Sequence, residues 1–155
     1  MVNLCSDVLE ALRAEGKTLV TAESLTGGGI GAALTGVPGA SSVFKGGIIS
    51  YVDQIKHDVL SVPQEVLARY GAVSEQTAAA MASGVRKLMK ADIAVSVTGL
   101  AGPGGDEFGH SVGTVFIGYE DERLTTVMEC HFQGSREEIR ALTVNNALKL
   151  VLTNI

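Results

Sequence analysis

The chain has 155 residues, of which 46% are apolar, and 12 basic against 17 acidic side chains give it a formal net charge of −5. One globular domain with a core large enough to carry a pocket fits that size, and the acidic balance without a Lys/Arg run excludes nucleic-acid binding through phosphate neutralisation. Cys5 and Cys130 stand far apart with no CxxC and no neighbouring His at ligand spacing, which points to a reduced, cytoplasmic protein without a structural zinc. No apolar run reaches the roughly 20 residues a membrane span needs, so no membrane association is expected.

Leu4, Val8, Leu9 and Leu12 recur at helical spacing and Gly16 stops the run, which predicts an amphipathic helix over residues 3–15. Residues 17–22 read as a short strand. The polar Glu23-Ser24-Leu25-Thr26 and the cluster Gly27-Gly28-Gly29 follow, then a small-residue helix over 30–35 that Gly36-Val37-Pro38-Gly39 breaks. Val43-Phe44 and residues 47–51 predict a second strand, with Asp53 as N-cap of a short helix carrying Lys56. Ser61 and Gln64 have capping-box spacing around Pro63, so a helix is expected to about Tyr70. Ser74 caps another over 75–90. Residues 93–97 are nearly continuous apolar strand, as in the centre of a sheet, and end in a second glycine cluster, Thr98 to Gly105. Residues 113–119 and 124–132 predict a hairpin, and Ser135 with Glu138 forms a second capping box opening a last helix over about 135–152. That helix is apolar on two sides, Ile139, Leu142 and Leu150 on one and Val144, Leu148 and Leu152 on the other, which expects burial between layers or a subunit contact in a homo-oligomer. The alternation predicts an α/β fold: a single three-layer α/β/α domain over 1–155 with a mixed sheet of about five strands.

Glycine is in excess, 19 residues, and the glycines cluster at the ends of predicted strands, where open α/β sheets bind ligands. Gly27, Gly28, Gly99 and Gly102, with the hydroxyls of Ser24, Thr26 and Thr98, are therefore candidate donors to a phosphate or ribose. Gly27-x-Gly29-x-x-Ala32 also fits a dinucleotide fingerprint with Asp53 as the ribose partner, which keeps a small Rossmann-type NAD-binding protein among the readings. Ser41-Ser42, Tyr51 and Lys56 form a third constellation. A serine is a weak nucleophile until a base takes its proton, and a lysine serves only when burial or a positive neighbour lowers its pKa. Arg136 and Arg140 lie one turn apart near the start of the last helix, where each can hold an anion or pair with Glu137 or Glu138.

Seven ordered motifs resemble the CinA C-terminal domain family: residues 21–28 (TAESLTGG), 39–44 (GASSVF), 47–51 (GIISY) through Lys56, 71–75 (GAVSE), 97–105 (VTGLAGPGG), 112–116 (VGTVF) and 132–136 (FQGSR). The resemblance implies a nicotinamide-nucleotide amidase that hydrolyses nicotinamide mononucleotide, a small pyridine nucleotide, to nicotinic acid mononucleotide and ammonia, with no metal or cofactor. By motif position it implies Ser41 as nucleophile, Tyr51 and Lys56 as the proton-transfer group, and Thr98 with Arg136 or Arg140 as nucleotide-binding residues. The family usually has Cys where this chain has Leu25, and often Tyr-Ser-Asn where this chain has Tyr51-Val52-Asp53. A nucleotide-binding or regulatory module without turnover is the alternative that the second departure raises.

Overall fold

A computed structural model describes residues 2–155. Five strands form one sheet in the order β2-β1-β3-β4-β5: β1 (Leu19–Glu23), β2 (Phe44–Ile49), β3 (Ile93–Gly99), β4 (Thr114–Glu120) and β5 (Thr125–His131). β1 pairs in parallel with both β2 and β3, while β4 runs antiparallel to β3 and to β5. The sheet is mixed, as predicted, and the carboxyl ends of β1, β2, β3 and β5 all reach one edge of the molecule.

Six helices cover the two faces: α1 (Val2–Glu15), α2 (Gly29–Thr35), α3 (Asp53–Asp58), α4 (Gln64–Tyr70), α5 (Glu75–Met89) and α6 (Arg136–Asn154). The two-residue period of a strand sorts the core between them. Leu19, Ile93, Val95, Val97, Val115 and Ile117 join α1, α2 and α6 in the larger apolar cluster. Val20, Ala22 and Ala94 point the other way, against Met81, Ala82 and Val85 of α5. All five residues of β1 are buried and those of β2 alternate, as expected of an interior and an edge strand.

Helix ends follow the capping chemistry in two cases and depart from it in two. Ser74 accepts from the Thr77 N–H at 3.1 Å, and Ser135 with Glu138 forms the complete capping box. The box expected at Ser61 is absent: α4 starts one residue after Pro63, whose φ of −59° already sets the entry, and Ser61 itself turns the chain at φ 60°. Asp53 is the first helical residue of α3 rather than its cap, which is Val52. α6 buries one stripe, Ile139, Thr143, Val144, Ala147, Leu148 and Val151, while Leu142 is left exposed.

One close approach ties the two ends of the α3–α5 region together. Gly84 of α5 lies against the Leu60 carbonyl oxygen, where any Cβ would overlap that atom. The segment so held leads straight back to α3, because the Val62 N–H donates to the Lys56 carbonyl at 3.1 Å.

Candidate active site

A cleft of about 410 Å³ opens where the carboxyl ends of β1, β2 and β3 meet the start of α6, lined among others by Ser24, Tyr51, Asp53, Lys56, Thr98, Phe108 and Arg136. β1 delivers Ser24 as the first residue past its end, 7% exposed, with its N–H tied to the Val97 carbonyl of β3 at 3.1 Å. The chain then reverses in a turn closed by Gly27 N–H on the Ser24 carbonyl, 3.0 Å, and by Gly29 N–H on the Thr26 carbonyl, 3.0 Å. Neither bond uses the N–H of Leu25, which stands next to Ser24 on the lining.

Lys56 comes from α3 and is 1% exposed. Its Nζ lies 3.1 Å from Ser24 Oγ, 2.8 Å from the Ser50 carbonyl and 3.3 Å from the Tyr51 carbonyl. Burial pulls its pKa down to about 8, against a smaller upward pull from Asp53. About a tenth of such a lysine is neutral at pH 7, roughly 300-fold more than in an exposed one. Two carbonyls take the two N–H bonds of the neutral amine, and its lone pair is left for the Ser24 hydroxyl. Tyr51 contributes its backbone here; its phenol instead accepts from Arg136 Nη2 at 3.2 Å and does not stand between Lys56 and a serine. Arg136 also donates to the Gly102 carbonyl, so its guanidinium bridges two walls of the cleft. Thr98 is buried on the lining and donates to the Ala72 carbonyl at 2.7 Å.

Ser41 stands elsewhere, and this corrects the expectation for the nucleophile. It lies exposed in a 3₁₀ turn, Ala40–Ser42, before the first residue of β2, whereas Tyr51 and Lys56 follow the last. The strand between them separates the two ends by about 20 Å, too far for proton transfer.

The first glycine cluster is corrected as well. Glu23, 2% exposed, turns its carboxylate to the opposite face of the sheet from Ser24. There it accepts from Ile30 N–H at 2.8 Å, Gly31 N–H at 3.0 Å and the Thr26 hydroxyl at 2.6 Å. Of the donors expected to cradle a phosphate there, the Thr26 hydroxyl is taken by the protein's own carboxylate and the Gly27 N–H by the Ser24 carbonyl. The same carboxylate holds the first N–H groups of α2, which leaves no place there for a dinucleotide phosphate. Thr26 therefore serves the turn, and Gly27 and Gly28 do not border the cleft, unlike Gly99 and Gly102. Arg140 also serves the turn, donating to the carbonyls of Leu25 at 2.9 Å and Thr26 at 3.2 Å. Sequence reasoning missed Glu23, Asp53 as a wall of the cleft, and Phe108. A glutamate closing a strand beside a buried serine was the signal for the first; nothing in the sequence marked Phe108.

The layers, and a buried serine and lysine in contact within a cleft at the strand ends, define an α/β domain with one candidate functional site. Residues 2–155 match the family model for the CinA C-terminal domain, and the chain belongs to that family. A CinA-like protein of Synechococcus sp. (strain CC9311) is 56% identical over 115 residues, 74% of this chain and 27% of that protein. A putative competence-damage inducible protein of Desulforudis audaxviator is 43% identical over 142 residues, 92% of this chain and 34% of its own length. The chain thus spans about a third of these curated relatives. The crystal structure of a competence-damaged protein (CinA) superfamily protein from Escherichia coli matches with a TM-score of 0.98 at 36% identity, covering 100% of this chain and 91% of that one. The competence damage-inducible protein A from Klebsiella pneumoniae gives 0.96 at 37%, covering 99% and 95%.

Proposed function

We propose that the chain hydrolyses the carboxamide of nicotinamide mononucleotide, with Ser24 as nucleophile and Lys56 as general base. The observation that carries this reading is the 3.1 Å contact between Ser24 Oγ and the buried Lys56 Nζ inside the cleft. The membership in the CinA C-terminal domain family, which the sequence motifs associate with this amidase activity, supports the choice of substrate.

Neutral Lys56 takes the hydroxyl proton as Ser24 Oγ attacks the carboxamide carbon. The developing oxyanion needs donors, and the backbone N–H of Leu25, the residue after the nucleophile, is assigned as one of them. The Lys56 ammonium then protonates the departing nitrogen, ammonia leaves, and an ester to Ser24 remains. Water enters, Lys56 takes its proton, and the second tetrahedral intermediate collapses to release nicotinate mononucleotide and restore the Ser24 hydroxyl. Arg136 at the cleft mouth is the cation for the substrate phosphate, with Thr98 and the Gly99–Gly102 backbone forming the facing wall. Ammonia release from the mononucleotide, measured against free nicotinamide and the dinucleotide, tests the reading; no release from any of the three overturns it.

A further inference from the structure

The loop between β3 and β4 holds a feature that the mechanism above does not use. Asp106 accepts from the backbone N–H of Phe108 at 3.1 Å and of His110 at 2.9 Å, and its second oxygen meets His110 Nδ1 at 2.7 Å. Burial works to raise this carboxyl, but those hydrogen bonds together hold its pKa below the usual carboxylate range. The loop is therefore fastened, and it fastens Phe108 in one place. The ring rests against Gly71, where a Cβ would stand 2.6 Å from it, so only bare backbone lets the ring lie there. Even so, Phe108 is 41% exposed and faces the cleft.

A large apolar side chain that is pinned by polar bonds and left open to a cavity is a surface built for something planar. Tyr51, 57% exposed, offers a second aromatic wall. Asp53 and Glu107 border the same space, and among the described residues neither forms an ion pair. Asp53 is shared with Lys56, and Arg136 is engaged by the Gly102 carbonyl and the Tyr51 phenol. Aromatic faces with the unpaired Glu107 carboxylate beside them therefore favour a ring that carries positive charge.

We propose that Phe108 is the specificity-determining platform for the substrate's ring, and that the ring it selects is a cationic N-substituted pyridinium carboxamide rather than a neutral, reduced one. The inference rests on the amidase reading and deepens it: the site distinguishes the oxidised from the reduced pyridine nucleotide. The amide is placed over Ser24 while Phe108 holds the ring.

Calorimetry with the Ser24→Ala protein, which cannot turn over, compares oxidised and reduced nicotinamide mononucleotide. The oxidised form is expected to bind about tenfold more tightly. Phe108→Leu, which keeps the apolar contact with Gly71, abolishes that preference, and Phe108→Tyr retains it. In the active protein Phe108→Leu raises KM for the oxidised nucleotide about tenfold and leaves kcat within twofold. Equal affinity for the two forms, or a preference that survives Phe108→Leu, overturns the inference. Ammonia release without ring discrimination leaves the amidase reading standing alone. Discrimination without ammonia release leaves the ring platform standing and removes the amidase reading.

Discussion

At the carboxyl end of the sheet a serine meets a lysine inside the protein, and at the amino end a serine meets an arginine in solvent. Arg13 donates to Ser42 Oγ at 3.0 Å and to the Gly39 carbonyl at 2.9 Å; Ser41 beside them is exposed. The residue types are similar, and the chemistry is opposite. A guanidinium stays protonated and accepts nothing, while desolvation brings the Lys56 ammonium to the edge of losing its proton. Burial, and not the pairing of a hydroxyl with a cation, is what separates a candidate catalytic site from a surface contact.

The sharpest way to break this contrast is to delete each hydroxyl. Ser24→Ala is expected to lower ammonia release by about 10³-fold or more, and Ser41→Ala to leave it within twofold. A large loss in Ser41→Ala with Ser24→Ala active would reverse the assignment. Lys56→Met comes next, with a loss of about 10²- to 10³-fold in kcat and, in the opposite direction, a gain in stability. The folded pKa of Lys56, about 8, lies below its ordinary 10.5, so the unfolded chain binds more protons between those values. The penalty is therefore full below about pH 8 and fades as pH rises to about 10.5. At pH 7 the variant, having lost the bonds to two carbonyls as well as the buried charge, is expected to gain about 1 kcal/mol, or roughly 2–4 °C in Tm. Thermal melts at pH 7 and pH 10 check both the sign and the narrowing gap.

Asp53→Asn has a smaller and more specific effect. Removing the carboxylate that holds the Lys56 pKa up moves the acid limb of the kcat/KM profile to lower pH, and activity at pH 6.5 rises about twofold. An unshifted limb would mean that Asp53 does not act on Lys56. At the amino end, Ser42→Ala should cost about 0.5 kcal/mol in a urea melt and nothing in activity.

Much of the fold was legible because apolar spacing is a local signal: the helices, the strands and the mixed sheet all follow from periods of 3.6 and 2. Lys56, Thr98 and Arg136 were named from the chain and lie together in the cleft. The place of Ser41 was not legible, because motif spacing measures residues along the chain, and the intervening β2 (Phe44–Ile49) sets Ser41 and Tyr51 at opposite ends of a strand. The rule already applied to the glycines, that ligands gather at the carboxyl ends of strands, also singles out Ser24. Glu23 escaped for a different reason. Its partners, Ile30 and Gly31, offer backbone N–H groups, which leave no mark in side-chain identity. Phe108 escaped because its position depends on a loop fastened by Asp106 and on the bareness of Gly71, which only three dimensions bring together.

Gly84 puts no atom in the cleft, yet the chain tolerates no side chain there without moving the Leu60 carbonyl and, two residues on, the bond from Val62 to Lys56. A survey of random variants scored by turnover alone would mark position 84 as though it took part in the chemistry. The packing that sets the position of Lys56 thus reaches one helix layer beyond the cleft.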